Sequence, residues 1–360
     1  MRTPKRLVAI LFLILASGCT QSGAPVANVS PASNQPSSSP TGPISTPSPA
    51  PAPASPSPTD TTSPSARSNA TWVFDAAIGK FLLFGGNTTS GNYNEFPQPL
   101  SDTWTWDGST WSQLPAGNAP KERLAAGAAY DPIHKVVVMY GGSTCCSAYN
   151  DTWLWDGARW LLQGPPQSPK TFGGEHPMTW DAKLNLVLLY DWTGSFLAPA
   201  LDQTWSWDGT TWTQLPTTSA PAGSQGTGLL VYDPGRKLTV FCGQSSNGPV
   251  TWTFDGTSWT QKLGVSGTAS TSFVAAEDDA QSDIVLYGEN GDTWTWDGTR
   301  WTPANPVHSP GPRKGAAMTY DSAHHLVVLF GGSSGDAADL KHHNDVWTWD
   351  GQDWTKVSGS

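Results

Sequence analysis

The chain has 360 residues, of which 13% are charged, and its formal net charge is −10 at pH 7. Nucleic-acid binding depends on neutralising phosphates with Lys and Arg, and anionic lipid headgroups attract the same cations. The acidic balance therefore argues against a nucleic-acid partner and against adhesion of the folded surface to a membrane.

The first residues have the pattern of a secretion signal. Arg2, Lys5 and Arg6 flank the start of an apolar run over 7–16, and small residues lead from there to Cys19. The run is shorter than the roughly 20 residues of a membrane-spanning helix. Cys after Leu-Ala-Ser-Gly resembles a bacterial lipoprotein cleavage site. This implies a signal peptide over 1–18, a lipid on Cys19 and an extracytoplasmic, membrane-anchored location; ordinary cleavage without a lipid is the alternative.

Residues 19–66 have the composition of a tether. From Gln21 to Ala66 the chain is mainly Pro, Ser, Thr and Ala, and Asp60 is the single charged residue. Such a segment cannot bury enough apolar surface to offset the loss of chain entropy on folding. We expect it to be disordered and to hold a folded domain, residues 67–360, away from the membrane.

Residues 67–360 contain one phrase six times. Each phrase has two aromatic residues two positions apart, then Asp-Gly, then a Trp three positions after the Gly. The phrases start at Trp104, Trp153, Trp205, Trp252, Trp294 and Trp347. They hold 17 of the 20 Trp residues, so the architecture accounts for the Trp content without a ligand. A long fixed period is typical of a radial or solenoid array.

Each unit predicts four short strands, which we call a, b, c and d. Strand a is small and apolar and ends in Asp, strand b is β-branched or aromatic, and strand c carries the aromatic pair. Asp-Gly between c and d is a strong hairpin signal. Single sheets of this kind cannot bury both faces, whereas a ring of six can. We predict an all-β, six-bladed β-propeller, closed by packing between blades one and six without an exchanged strand.

Together, the small strand, the strand ending in Gly-Gly, Asp-x-Trp-x-Trp-Asp and the following Trp resemble the kelch repeat family over about 67–357. The resemblance implies a kelch-type propeller like the central domain of galactose-oxidase-like proteins. It departs in two places: Gly-Gly is present only in units one, two and six, and Glu277 stands where most units have Tyr or Phe.

Antiparallel strands place the b–c and d–a connections at one end of the ring, which we call the loop face. These connections are the long ones, and in kelch proteins this face is commonly the binding surface. Arg67, Arg123 and Arg313 open strand a in three units that are adjacent once the ring closes, and Arg grips carboxylates well. They are candidate ligand contacts; pairing with acids such as Glu122 or with loop carbonyls is the alternative.

Other candidates lie in the b–c loops. Tyr93, Tyr149, Trp192 and Phe196 offer rings that could stack on sugars or peptides, or could anchor the loops by folding inward. His342 and His343 are weak metal candidates, with a solvated loop as the alternative. Cys145 and Cys146 are adjacent, which leaves either a strained vicinal disulfide or two free thiols.

We expect a monomeric binding module without a cofactor, whose partner is a protein or a glycan. The alternative is a carbohydrate-active enzyme, sialidase-like or galactose-oxidase-like, with its site at the same face. Copper–radical oxidation needs a Tyr crosslinked to Cys, a second Tyr and two His ligands, and the sequence offers no obvious set. No hydrolase or metalloprotease motif is present either.

Overall fold

The computed structural model describes residues 63–89, 97–144, 147–170, 176–192, 203–217, 219–221, 228–245, 248–266, 270, 272–336 and 339–359. These ranges contain strands, turns and irregular segments but no α-helix. Accordingly, no helix long and apolar enough to cross a membrane occurs among them.

Blades one to three are four-stranded sheets whose strands pair in chain order. Their strands are β1 (Thr71–Asp75), β2 (Lys80–Phe84), β3 (Thr103–Trp106) and β4 (Trp111–Gln113); β5 (Gly127–Asp131), β6 (Val136–Tyr140), β7 (Thr152–Trp155) and β8 (Trp160–Gln163); and β9 (Met178–Asp181), β10 (Leu186–Asp191), β11 (Gln203–Trp207) and β12 (Trp212–Leu215). All neighbouring pairs are antiparallel.

Blades four to six repeat this order, and blade six carries a small extra hairpin in its b–c connection. Their strands are β13 (Gly228–Asp233), β14 (Leu238–Ser245), β15 (Gly248–Phe254) and β16 (Trp259–Lys262); β17 (Phe273–Asp278), β18 (Asp283–Gly288), β19 (Thr293–Trp296) and β20 (Trp301–Pro303); and β21 (Ala317–Asp321), β22 (Leu326–Phe330), β23 (Ser333–Ser334), β24 (Lys341–His342), β25 (Val346–Trp349) and β26 (Trp354–Ser358).

The Asp-Gly turn between strands c and d is held by its own side chain. In blade one, Oδ1 of Asp107 accepts hydrogen bonds from the backbone N–H of Ser109 at 3.0 Å and of Thr110 at 2.7 Å. Gly108 has φ of 94°, a left-handed conformation that glycine adopts without a steric cost. The same arrangement recurs in every blade, which confirms the predicted hairpins.

Six apolar clusters fill the spaces between adjacent blades, including the space between blades six and one. In that closing cluster Trp72 and Trp111 of blade one pack against Phe330 and Val346 of blade six. Within the described ranges every strand of blade one comes from the first unit and every strand of blade six from the last. The protein is therefore a six-bladed β-propeller, and the ring is closed by packing as predicted.

A repeated hydrogen bond reinforces five of these six interfaces. The last Trp of one blade's phrase donates its Nε1–H to the hydroxyl of the Thr that precedes the aromatic pair in the blade before it. The donor–acceptor pairs are Trp160–Thr103, Trp212–Thr152, Trp259–Thr204, Trp301–Thr251 and Trp354–Thr293, at 2.9 to 3.1 Å. At the closing interface the equivalent position is Val346, which is fully buried.

Candidate functional site

The three arginines at the loop face are buried. Arg67 and Arg123 are each 1% exposed and Arg313 is 4% exposed. Arg123 grips the carboxylate of Asp151 with two nitrogens, Nη1 to Oδ1 at 2.6 Å and Nη2 to Oδ2 at 2.9 Å. Its Nη1 also donates to the carbonyl of Gly141 at 2.7 Å. Most of its donors are therefore used inside the protein.

The other two arginines repeat this geometry in their own blades. Arg67 grips Asp102 and donates to the carbonyl of Gly85, and Arg313 grips Asp345 and donates to the carbonyl of Gly331. We call each Arg–Asp–Gly set a clasp. Among the described residues the guanidinium groups share no partner with one another, so each serves its own blade.

Each clasp carboxylate also accepts a hydrogen bond from the first Trp of the aromatic pair. For Asp151 the donor is Nε1 of Trp153, at 2.8 Å. Burial alone would raise the pKa of Asp151, but the hydrogen bonds from Arg123 and Trp153 outweigh it and hold the pKa below the ordinary value. Asp102 and Asp345 have lowered pKa values for the same reasons.

The Gly-Gly pairs of units one, two and six belong to the same construction. The backbone N–H of Gly332 in blade six donates to the carbonyl of Arg67 in blade one at 2.9 Å, and Gly86 in blade one donates likewise to Arg123 in blade two at 3.0 Å. A Cβ on Gly85 would collide with the carbonyl oxygen of Arg123 in blade two. Both glycines of each pair have positive φ. Gly-Gly thus allows the next blade's backbone to approach closely.

The geometry therefore favours a structural role for Arg67, Arg123 and Arg313. The alternative stated from the sequence, pairing with acids and carbonyls, describes what they do, although the partners are Asp102, Asp151 and Asp345 rather than Glu122. Direct ligand contact by these guanidinium groups stays a prediction.

Two of the aromatic candidates lie within the described ranges. The ring centre of Tyr149 is 4.3 Å from the guanidinium carbon of Arg123, and the Tyr149 side chain is partly exposed. Burial raises the pKa of Tyr149, and the neighbouring Glu122 adds to this. Trp192 follows β10 and is also partly exposed. Tyr93, Phe196, Cys145, Cys146 and Cys19 lie outside the described residues.

His342 and His343 are engaged within the protein. Nε2 of His342 lies 2.8 Å from the carbonyl oxygen of Thr89 in blade one, and Nε2 of His343 lies 2.8 Å from the hydroxyl of Ser334. Burial lowers the pKa of His343, and Arg313 lowers it further. Across the described part of the chain, no group of three or more His, Cys, Asp or Glu side chains could hold a metal ion.

The innermost strands enclose a central channel with two cavities. The cavity nearer the loop face has a volume of about 200 Å³ and small lining residues such as Ala70, Gly127 and Gly315. The cavity nearer the a–b turns has a volume of about 370 Å³, with aromatic side chains and the carboxylates of Glu277 and Asp279 on its wall. We call the larger one the lower cavity.

The described residues do not fit a copper–radical site. Cys242, the one described cysteine, is 2% exposed and lies in the cluster between blades four and five. Burial raises the pKa of its thiol, and no pair of His ligands accompanies it. His176, which lines the smaller cavity, is 4% exposed with Nε2 unpartnered, and burial lowers its pKa to about 4.

Comparison with known proteins supports a β-propeller but does not assign the chain to a particular family of propellers. No protein-family model and no curated protein matches this sequence. Among solved structures, a fungal alcohol oxidase of the AA5 family in complex with copper is similar at a TM-score of 0.50 and 13% identity. The match covers 83% of this chain and 66% of the oxidase, so the chain spans about two thirds of the oxidase's length.

A second similar structure is YCF48 bound to D1 peptide, at a TM-score of 0.44 and 13% identity. That match covers 82% of each chain. At this level of identity, likeness to the oxidase shows a shared fold and no more.

Sequence reasoning missed the clasp partners and the interblade threonines. A signal was present for both. Asp stands two residues before the first Trp in the three units that have Arg and Gly-Gly, and also in unit five, while Thr precedes that Trp in five of six units. Neither regularity identifies its partner, because the partners are brought together only by strand order and ring closure.

Proposed function

We propose that this protein is a binding module, held outside a bacterial cell membrane by a lipid on Cys19, that recognises a protein or a glycan through its loop face. The proposal rests mainly on Tyr149. Its ring is partly open to solvent, yet it is stacked on a guanidinium that is itself fixed by Asp151 and Gly141.

Such a ring suits recognition because little conformational entropy remains to be lost on binding. Aromatic rings present a large apolar face and pack well on flat ligand surfaces. The clasps hold the base of the loops in blades six, one and two, so that ligand contacts above them start from a rigid frame. In this arrangement Arg123 positions Tyr149 rather than touching the ligand.

A glycan and peptide array probed with the full chain tests recognition. We expect Tyr149→Ala to reduce the strongest signal at least tenfold. Ile133→Ala, in the same blade but in the a–b turn on the opposite face and 57% exposed, serves as the matched control and should leave the signal unchanged. A signal that survives Tyr149→Ala, or an array without any signal above background, would contradict the proposal.

The membrane anchor is supported by the sequence features at residues 2–19 and by the tether composition. Expressed in bacteria, the wild-type chain should be found in the membrane fraction with a lipid-modified N-terminus by mass spectrometry. Cys19→Ser should release the protein into the soluble extracytoplasmic fraction. Wild-type protein without lipid at Cys19 would remove this part of the proposal.

A further inference from the structure

The lower cavity combines two kinds of side chain that loop-face recognition does not use. It opens toward the a–b turns, at the opposite end of the channel from the loop face. Tyr130 of β5 and Trp180 of β9 line it from blades two and three, and both are partly exposed. Glu277 of β17 and the following Asp279 line it from blade five, which lies across the ring from blade two.

Glu277 is an acid without a partner. It occupies the strand-a position that is aromatic in the other five units, as with Tyr130 and Tyr320. Among the described residues, none donates a hydrogen bond to its carboxyl group or forms an ion pair with it, and no Lys or Arg lines the cavity. Burial raises its pKa to about 8, and the Asp279 carboxylate adds to the shift. Glu277 is partly exposed where it lines the cavity, so its carboxyl group can be reached from there.

We propose that the lower cavity binds a small organic cation carrying an ammonium group. An ammonium ion is attracted to the faces of aromatic rings, and a nearby carboxylate completes the charge balance. The volume of about 370 Å³ lies at the lower end of the range, roughly 300–1,000 Å³, that holds small ligands. Two carboxylates without a third ligand do not suit a bare metal ion, in line with the absence of any metal-ligand group among the described residues.

Binding should depend on pH because Glu277 must be ionised to pair with the cation. The titratable groups around it are Asp279 on the following turn, Tyr232 of the neighbouring blade four and Tyr320 of blade six, whose hydroxyl lies 3.0 Å from Nδ1 of His325. Glu277 gains its charge as the pH rises toward 8. A permanently charged ligand should therefore bind several-fold more tightly at pH 9 than at pH 6.5.

Choline chloride is the probe, and 3,3-dimethyl-1-butanol, which has the same shape without the charge, is its control. Calorimetric titration of the full chain at pH 9 and matched ionic strength should give binding for choline and none for the alcohol. Glu277→Gln should weaken choline binding at least tenfold, and Trp180→Leu several-fold. Glu122→Gln, an exposed acid at the loop face, should change nothing.

Three results would overturn the inference. The first is equal binding of the neutral alcohol, which would leave an apolar cavity only. The second is unchanged choline affinity in both Glu277→Gln and Trp180→Leu, each verified as folded by its melting temperature. The third is no heat of binding at 20 mM choline. None of them bears on loop-face recognition, because the two sites lie at opposite ends of the channel.

Discussion

At the scale of single residues, the clasps show how a charge can be buried in a small-residue strand. Each arginine brings five donors into an interior site, where they would be costly if left unpaired. The clasp supplies a bidentate carboxylate and a glycine carbonyl within one blade. The charged side chain thus links the start of strand a to the end of strand b and the start of strand c.

Removing a clasp arginine should therefore be strongly destabilising. Arg313→Ala leaves Asp345, whose side chain is 5% exposed, without its counter-charge, and we expect a loss of about 3–5 kcal/mol in the free energy of unfolding. Arg300→Ala is the matched control, because its side chain is 73% exposed and its pair with Asp297 should contribute at most about 1 kcal/mol. Urea titrations that gave the two variants similar losses would contradict the clasp.

The lowered pKa values of the clasp carboxylates also predict how the free energy of unfolding changes in acid. Their pKa values in the folded protein lie below the ordinary 3.8, so their stabilising contribution is complete above that pH and is lost as the pH falls through the folded value. Asp151→Asn should consequently show a shallower loss of unfolding free energy below pH 4 than the wild type. Identical slopes for the two proteins would show that Asp151 is not held ionised by Arg123.

The raised pKa of Glu277 leads us to expect the opposite change of unfolding free energy with pH, at higher pH values. Its pKa is raised from 4.5 to about 8, so the folded protein keeps a proton that the unfolded chain releases. This group's contribution to stability therefore falls as the pH rises from about 4.5 to about 8, by at most about 1.4 kcal/mol per pH unit. Glu277→Gln should be more stable than the wild type at pH 8 and nearly equal to it at pH 4.5. Thermal unfolding across this range measures the difference, and a constant difference would refute it.

The sequence predicts a residue's role when its partner is close to it in the chain, and fails to do so when the partner is distant. Asp107 bonds to Thr110, only three residues away, so the Asp-Gly sequence predicts this turn directly. Arg123 and Asp151 are 28 residues apart, and the sequence shows only that such residues occur together in three units. That Glu277 has no partner among the described residues could not be predicted, because this depends on what every other blade contributes to the channel.

At the scale of elements, adjacent blades are joined by one directional bond in addition to apolar packing. The Trp–Thr pairs orient each outer strand against strand c of the preceding blade. The sixth interface does without the bond, since Val346 replaces Thr and Trp111 packs against Phe330 with ring centres 5.5 Å apart. Packing can therefore stand in for the hydrogen bond where the ring closes.

Removing one of these hydroxyls should have a modest, measurable cost. Thr152→Val keeps the shape of the side chain but leaves Nε1 of the buried Trp212 without an acceptor, and we expect a loss of about 1–3 kcal/mol. Thr105→Val is the control, because Thr105 is also buried in a strand c but accepts no interblade bond from a Trp. Equal losses in denaturant titrations of the two variants would argue that the bond contributes nothing.

Strand pairing and turns could be predicted from the alternation of residues, whereas loop geometry could not. The b–c connections of blades four and five are short, with Ser245 pairing with Gly248 and β18 followed closely by β19. The other four units have longer connections, and among the described residues blade six alone folds part of its connection into β23 and β24. Loop residues follow no repeating pattern, so the repeat that predicts the blades does not predict the loop conformations.

At the scale of the whole molecule, different groups of residues in the propeller have three different roles. Interblade packing closes the ring, the clasps fix the base of the loops in blades six, one and two, and partly exposed aromatic side chains remain at the loop face. The channel adds a separate cavity at the other end. This division explains why six repeats of one phrase can carry sites that differ from blade to blade.

In the proposed function, the residues that build the frame are separate from the residues that meet the ligand. The most direct test measures melting temperature and affinity together, for the strongest array ligand, on Arg67→Ala and Tyr149→Ala. Arg67 lies in blade one, away from Tyr149 in blade two. We predict that Arg67→Ala lowers the melting temperature but retains affinity where it is folded, and that Tyr149→Ala loses affinity at an almost unchanged melting temperature. The reverse pattern, with affinity lost in a folded Arg67→Ala and kept in Tyr149→Ala, would contradict the account.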